Sequence, residues 1–268
     1  MATASGDFIR FLGTAGARFV MITQRRSSAG VLYCLGGYRL LVDPGPGCLV
    51  RCHASRPRVD PSKLDGILLT HGHLDHAGDV NVMIEAMTEG GHRQRGTLFA
   101  PSEALDGDPV VLRYVRGYLG GIEVIAAGRT WQLAPGLTLG TPVRHVHTGE
   151  AYGLCLELPG LRISHVADTA YFPDLAAHYA PCDVLVVHMV LYQVDAERKR
   201  RILHLDLADA TRLIGEVRPR VAIITHFGMN VLQAKPWELA TKMTEETGVK
   251  VVDARDGMTF GLDEWMNG

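Results

Sequence analysis

The sequence has little excess charge of either sign. Its 27 Lys and Arg residues nearly balance 29 Asp and Glu residues, and the formal net charge is −2. Such a chain has no global basic field to capture nucleic acid, although a local basic groove stays open. Long apolar runs are missing too: the longest, Val184 to Tyr192, is interrupted by His188 and is far too short to span a bilayer. We therefore expect no membrane association.

Cysteine is also scarce. The chain has five, an odd and scattered set that argues against a disulfide framework and for a reducing compartment. Met1 to Asp7 has no basic stretch followed by an apolar one, as a secretory signal would need, so we expect a cytoplasmic protein. The group Cys48, Cys52 and His53 lacks a second pair at zinc-finger spacing, which favours buried thiols over a metal site.

What is present is an ordinary globular composition, with 47% hydrophobic and 21% charged residues. We find no internal repeat and no linker-like shift, and expect a single domain over residues 1–268. Gly36-Gly37 between two apolar segments predicts a hairpin. Phe8 to Leu12 is predicted as an edge strand, and Pro109 to Leu119 as a helix or irregular excursion. Because helices appear between the later strands, the pattern predicts an α/β (α+β) fold of two sheets covered by helices.

The densest polar cluster follows Ile67 to Leu69, an apolar run the length of a buried strand. Its four potential metal ligands are His71, His73, Asp75 and His76. Imidazole nitrogen and carboxylate oxygen are good ligands for zinc and similar cations, and such crowding is costly unless a cation offsets it. Gly72 is predicted to let the loop fold back tightly. The alternative is a chance cluster of histidines on a polar surface loop.

Three further strand ends carry candidate ligands. In Arg144-His145-Val146-His147 both imidazoles are expected on one side of a strand. Asp168 follows the run from residue 161 to 166, and His226 follows Val221 to Thr225. The loop and these residues together offer more donors than one open catalytic site takes, which favours two metals. Taken singly, each strand-end histidine could instead be a hydrogen-bonded surface residue.

The pattern His71-x-His73-x-Asp75-His76, followed by His147, Asp168 and His226, resembles the five-motif metal site of the metallo-β-lactamase superfamily. Leu41-Val-Asp43-Pro-Gly45 resembles its early acidic motif. Four features resemble the ribonuclease Z-like phosphodiesterase branch of that superfamily. They are Phe11-Leu12-Gly13-Thr14, the His147-x4-Tyr152-Gly153 spacing, Thr225-His226-Phe227-Gly228, and His204 ahead of an Ala-rich helix.

The resemblance implies a four-layer αββα sandwich with two divalent ions, zinc or else manganese or iron, at one edge of its sheets. One ion would be held by His71, His73 and His147, the other by Asp75, His76 and His226, with Asp168 bridging them. Asp43 would hydrogen-bond a ligating imidazole or its loop, and His145 would support the ligands from behind. The candidate catalytic residues are Asp75 and His204. A homodimer is expected from the branch.

Two departures from ribonuclease Z stand out. Its His-Glu-Ala-Thr motif is replaced by His188-Met189-Val190-Leu191, so the glutamate is missing. Only residues 148–167 separate His147 from Asp168, which leaves no room for the long arm that grips transfer RNA in that family. These departures argue against transfer RNA as the partner and for a small-molecule or short nucleotide substrate.

The leading hypothesis is a dinuclear phosphodiesterase that uses a metal-bridging hydroxide on a small or cyclic phosphodiester or on an RNA end. The alternative keeps the metals but hydrolyses a carbonyl substrate, namely a thioester, lactone or lactam. A third hypothesis is a non-enzymatic metal-binding or regulatory protein. His204 separates the first two, since carbonyl hydrolysis in this fold does not need it. The simpler interpretation of His204 is a surface histidine that caps the helix after it.

Overall fold

A computed structural model describes residues 6–16, 18–28 and 30–263. Its strands are β1 (Phe8–Phe11), β2 (Val31–Leu35), β3 (Tyr38–Val42), β4 (Gly66–Leu68), β5 (Thr97–Ala100), β6 (Gly121–Val124), β7 (Arg129–Ala134), β8 (Leu137–Thr141), β9 (Leu154–Leu158), β10 (Leu161–Val166), β11 (Val184–His188), β12 (Val221–Thr225), β13 (Lys250–Asp253) and β14 (Thr259–Gly261). They form two seven-stranded sheets. The first has the order β14-β1-β2-β3-β4-β5-β6, and the second has the order β13-β12-β11-β10-β9-β8-β7.

The α-helices are mostly short. They are α1 (Phe19–Thr23), α2 (Cys48–Ala54), α3 (Leu74–Ala77), α4 (Val80–Met87), α5 (Arg113–Arg116), α6 (Leu175–Tyr179), α7 (Ala196–Arg201), α8 (Leu207–Val217), α9 (Met229–Gln233) and α10 (Pro236–Thr247). Two 3-10 helices lie at Pro61–Lys63 and Ser102–Ala104. In the described part of the chain, no helix combines the length and the apolar character needed to cross a membrane.

The two sheets pack face to face, and helices cover their outer faces. The apolar layer between the sheets includes Tyr33 from the first sheet and Leu154 and Ile163 from the second. On the outer side of the first sheet, α2 and α4 bury a second apolar cluster. On the outer side of the second sheet, α8 and α10 bury a third. The expected αββα sandwich is confirmed.

Each sheet contains four neighbouring parallel strands. In the first sheet β3, β4, β5 and β6 run parallel, and in the second β10, β11, β12 and β13 do. Parallel strands end at the same edge of their sheet, and ligand sites in such sheets form beyond the carboxyl ends. Val166 of β10 pairs with Val187 of β11, and His188 pairs with Thr225 of β12. The segments after these three strands therefore leave the sheet side by side.

The predicted hairpin is confirmed: Leu35 pairs with Tyr38, and Gly36 and Gly37 have φ angles of 53° and 82°. Positive φ at both central positions is what a tight hairpin turn requires. The prediction for β1 was wrong in one respect. Strand β1 pairs with both β14 and β2, so β14 and not β1 lies at the edge of the sheet. The segment Pro109 to Leu119 contains only the four-residue α5.

Candidate metal centre

The histidine loop begins where β4 ends. Its backbone enters α3 at Leu74, so Asp75 and His76 lie in a helical turn while His71 precedes it. Gly72 is not the residue that permits this tight path, contrary to the sequence prediction, because an added Cβ would meet only the Val110 side chain at 3.9 Å. Gly45 has that role. A Cβ on Gly45 would lie 2.0 Å from the backbone oxygens of Asp75 and Ser28.

Asp43 holds the loop from behind. Its carboxylate accepts hydrogen bonds from Thr70 N (2.7 Å), Thr70 Oγ1 (2.7 Å) and His76 Nδ1 (2.8 Å). The structure thus confirms the expected contact of Asp43 with both an imidazole and the loop. Because the carboxylate accepts, His76 carries a proton on Nδ1, and Nε2 is the ring nitrogen left to face a cation.

Three of the predicted ligands converge on one point. His73 Nδ1 lies 3.0 Å from His71 Nε2 and 3.1 Å from His147 Nε2. His147 donates from Nδ1 to the Leu203 carbonyl oxygen at 3.0 Å, which leaves its Nε2 free to bind a cation. Burial, followed by the charge of nearby His76, holds the pKa of His71 well below its usual value. A neutral imidazole is the form that binds a metal.

A second group surrounds Asp168. Its Oδ2 lies 3.3 Å from His76 Nε2, and its Oδ1 lies 3.4 Å from His226 Nε2. Asp75 Oδ2 lies 3.5 Å from the same His226 nitrogen. Asp168 also approaches the first group, with Oδ2 at 3.9 Å from His147 Nε2. The carboxylate therefore lies between the two sets of donors.

The buried atoms of this second group fit a cation. Three atoms are buried without a hydrogen-bond partner in the part of the chain that the structure describes: Asp75 Oδ2, His76 Nε2 and His226 Nε2. Leaving such groups unpaired in the interior costs about 1–3 kcal/mol each, and more for a charged one. A divalent ion among them satisfies all three atoms at once. Nitrogen and carboxylate donors suit zinc and similar first-row cations.

Electrostatics keep Asp168 ionised. Burial alone would raise its pKa, but the adjacent His226, His204 and His76 outweigh burial and hold the pKa well below the usual range. The pKa of His226 is shifted in the opposite direction. Burial would lower its pKa, yet the neighbouring Asp168 carboxylate raises it to about 8. Asp168 is thus held as a carboxylate between the two groups of donors.

His188 also lies in the site, although no role there was predicted for it. Its Nδ1 is 2.9 Å from Asp168 Oδ1, and its ring stacks on His226 with centroids 4.3 Å apart. The group His76, Asp168, His188 and His226 could itself hold an ion. A usable sequence signal existed: His188 ends a buried strand that the topology places between the strands before Asp168 and His226.

His145 is placed differently from the prediction. Arg144 makes only an isolated bridge with Tyr152, so His145 and His147 do not lie on a strand. His145 is buried, with Nδ1 at 3.2 Å from the Asp168 carbonyl oxygen and Nε2 at 2.5 Å from the Tyr179 hydroxyl. It therefore contacts the backbone of the Asp168 segment, behind the ligands.

His204 lies in the site and not on the surface. It is only 8% exposed, its Nδ1 lies 3.5 Å from Asp168 Oδ2, and this buried nitrogen has no hydrogen-bond partner. Its ring centroid is 4.9 Å from that of His147. The capping interpretation was wrong, because Asp206 caps α8 by accepting from Asp209 N. Burial lowers the pKa of His204 to about 4, so its imidazole is neutral at pH 7.

Known proteins are similar to this chain in sequence. The family described as Beta-lactamase superfamily domain matches residues 38–227. An uncharacterized protein of Methanocaldococcus jannaschii is 28% identical over 263 residues, covering 95% of this chain and 94% of that protein. A UPF0173 metal-dependent hydrolase of Staphylococcus haemolyticus is 25% identical over 244 residues, covering 84% of this chain and 93% of that protein. A ribonuclease Z of Bradyrhizobium is 44% identical over 66 residues, covering 25% of this chain and 20% of that protein.

Solved structures share the fold. The metallo-beta-lactamase fold protein YhfI of Bacillus subtilis superposes with a TM-score of 0.75 at 18% identity, covering 95% of this chain and 98% of that one. The short form of human tRNase Z superposes with a TM-score of 0.69 at 17% identity, covering 95% and 98%. At these identities the similarity concerns the architecture.

Proposed function

The chain belongs to the beta-lactamase superfamily, and we propose that it is a metal-dependent hydrolase with a dinuclear centre. We further propose that it cleaves a small or cyclic phosphodiester or an RNA end. In this proposal His71, His73 and His147 hold one ion, and Asp75, His76 and His226 hold the other. Asp168, which lies between the two sets of donors, would be a ligand shared by both ions. The donor distances and the unpaired buried atoms described above support this division.

Divalent ions at these positions would supply Lewis acidity and activate a water molecule for attack. The protein provides the surrounding charge and orientation. Asp168 remains a carboxylate and offsets the positive charge of the site. Among the described residues Asp75 Oδ2 has no hydrogen-bond partner, so it would be available to ligate an ion or to accept a hydrogen bond from the attacking water. Thr70 and Asp43 fix the loop that carries these groups, which keeps their positions constant during turnover.

The single observation that carries the phosphodiester assignment is the position of His204. Its unpaired Nδ1 lies beside the bridging carboxylate and its ring faces His147. Because its pKa is lowered to about 4, His204 acts as a neutral hydrogen-bond donor to a phosphoryl or leaving oxygen and not as a charged acid. Carbonyl hydrolysis at the same centre does not need this group.

Replacing His204 with alanine tests the assignment. We expect His204→Ala to reduce kcat for bis(p-nitrophenyl) phosphate by about 100-fold or more, the usual effect of removing one preorganised donor. The protein should keep its metal content. His92→Ala removes an exposed histidine in the loop after α4 and serves as the matched control. Unchanged phosphodiester turnover in His204→Ala, together with high thioester or lactone turnover by the parent protein, would favour the carbonyl alternative.

Metal analysis tests the dinuclear centre independently. Purified protein is stripped, repleted with zinc, manganese or iron, and assayed for bound metal per chain. We expect two ions per chain, and a content well below two after repletion contradicts the dinuclear proposal. The homodimer expected from the branch stays a prediction, which light scattering of the repleted protein can test.

A further inference from the structure

A chain of buried hydrogen bonds leads away from the bridging carboxylate into the core. His188 Nδ1 lies 2.9 Å from Asp168 Oδ1, and His188 Nε2 lies 2.9 Å from His165 Nε2. His165 Nδ1 lies 2.9 Å from the Tyr33 hydroxyl. His188, His165 and Tyr33 are 5%, 1% and 0% exposed, so water does not compete for these bonds. The chain crosses between the sheets, because Tyr33 belongs to β2 and His165 to β10.

The direction of these bonds follows from the group at one end. An ionised carboxylate can only accept, so His188 must carry its proton on Nδ1. Its Nε2 is then an acceptor, which requires a proton on His165 Nε2. His165 Nδ1 is in turn an acceptor and receives the Tyr33 hydroxyl proton. With this direction every polar atom of the two rings and the phenol is satisfied.

The opposite direction corresponds to a different role for His188. If Nδ1 bound an ion, the His188 proton would move to Nε2 and His165 would carry its proton on Nδ1. The Tyr33 hydroxyl would then have to accept, and its own proton would be left without an acceptor. The bond to His165 is the only hydrogen bond that the Tyr33 hydroxyl makes within the described residues. A buried unsatisfied donor is costly, so this direction is disfavoured.

We propose that His188 is a positioning residue and not a metal ligand: it donates from Nδ1 to Asp168 Oδ1 and is oriented by His165 and Tyr33. This inference rests on the proposed dinuclear function, in which Asp168 bridges the ions. The side chain of Asp168 then accepts a hydrogen bond from His188, while its backbone carbonyl oxygen contacts His145. Such outer partners fix the angle of a ligating carboxylate, and their loss costs about 10–100-fold in metal affinity.

The tautomers of two histidines decide between the roles. Protein labelled with ¹⁵N-histidine is observed by long-range ¹H–¹⁵N NMR, without metal and after zinc loading, with His188→Asn and His165→Gln used to assign the two rings. We expect His188 to be protonated at Nδ1 and His165 at Nε2 in both states. Protonation of His188 at Nε2 and His165 at Nδ1 in the zinc-loaded protein overturns the proposal.

Metal affinity gives a second readout that does not depend on activity or on NMR assignment. Asparagine places its side-chain NH₂ near the position of Nδ1, so His188→Asn keeps a donor for Asp168 but offers a poor ligand. We expect His188→Asn to bind the second zinc within about tenfold of the parent, and His188→Ala to bind it about 10–100-fold more weakly, measured by chelator competition. Equal and complete loss of the second ion in both variants overturns the proposal.

Tyr33→Phe probes the far end of the chain. It removes only the hydroxyl that donates to His165 Nδ1, so we expect the ¹⁵N shift of His165 Nδ1 to change while His165 keeps its proton on Nε2 and both ions still bind. Tyr38→Phe removes a hydroxyl bonded to the Asp65 carbonyl oxygen and serves as the control, with no change in either histidine. An unchanged His165 signal in Tyr33→Phe contradicts the chain. Failure of the dinuclear proposal is recognised separately, as a metal content below two in the parent protein.

Discussion

Replacing Asp43 with asparagine is the sharpest structural test of the centre. The amide keeps the shape of the carboxylate, and its oxygen can still accept from Thr70 N. The NH₂ group then faces Thr70 Oγ1 and His76 Nδ1, which both donate to the carboxylate in the parent protein. The threonine hydroxyl can rotate and accept, but His76 can accept only by moving its proton to Nε2. Turning the amide over merely transfers the conflict to Thr70 N.

The magnitude follows from the bonds that change. A hydrogen bond to a charged group contributes about 1.5–3 kcal/mol, and the His76 bond is lost or reversed while the Thr70 bonds weaken. We expect Asp43→Asn to lower the free energy of unfolding by about 3 kcal/mol and Tm by roughly 6–12 °C. A proton on His76 Nε2 also blocks its lone pair, so affinity for the second ion should fall by about 10–100-fold.

Urea denaturation of the metal-free protein measures the first effect, and zinc titration against a chelator measures the second. Asp60→Asn is the control, since Asp60 is an exposed carboxylate that accepts from Ser62 far from the ligands. Second-ion affinity within about threefold of the parent, in a variant that is destabilised as expected, would refute the argument that Asp43 fixes the His76 tautomer. An unchanged free energy of unfolding would refute the argument that the hydrogen bonds of Asp43 stabilise the fold.

Further substitutions test the local geometry. Gly45→Ala should destabilise the fold by about 1–3 kcal/mol and weaken metal binding, because its Cβ would meet the Asp75 and Ser28 backbone oxygens at 2.0 Å. Gly72→Ala in the same region should be tolerated. Thermal melts and zinc titrations compare the two variants. Equal effects of both substitutions would contradict the packing argument. Asp206→Ala should lower the free energy of unfolding by about 1 kcal/mol through the lost cap of α8, measured by denaturation with Thr211→Ala as a mid-helix comparison.

Buried strands were the most predictable part of the fold. The strands at 161–166 and 221–225 have the bounds expected from the sequence, because the first alternates apolar and polar residues after Gly160 and the second is an almost uninterrupted apolar run. Helices α1, α6 and α9 were not predicted. Each has five residues, less than two turns, so no 3.6-residue periodicity can develop in the sequence. Each buries few apolar side chains, among them Val20, Leu175 and Val231, which is too few to mark a helical face in the sequence.

The segment around His147 shows where pattern reasoning failed. Alternation of His145, Val146 and His147 predicted a strand, but this segment leaves the sheet and follows contacts that are distant in sequence. His147 donates to the Leu203 carbonyl oxygen, and Tyr152 N donates to the Thr70 carbonyl oxygen. A local window contains neither partner. The approach of His147 to the histidine loop was expected from the metal pattern and not from any predicted strand.

The position of His188 is a question of topology more than of local pattern. Its neighbours in the sequence are apolar, and its chemistry appears only when β11 lies between β10 and β12. Asp43 and the histidine loop follow strands of the first sheet, whereas His147, Asp168 and His226 lie in segments between strands of the second, and His188 ends one of its strands. The ligands proposed for each ion therefore come from both sheets, and the site forms only when the sandwich closes. Because ions at this site would bind the closed sandwich and not the separate sheets, we expect metal binding to add directly to the stability of the fold.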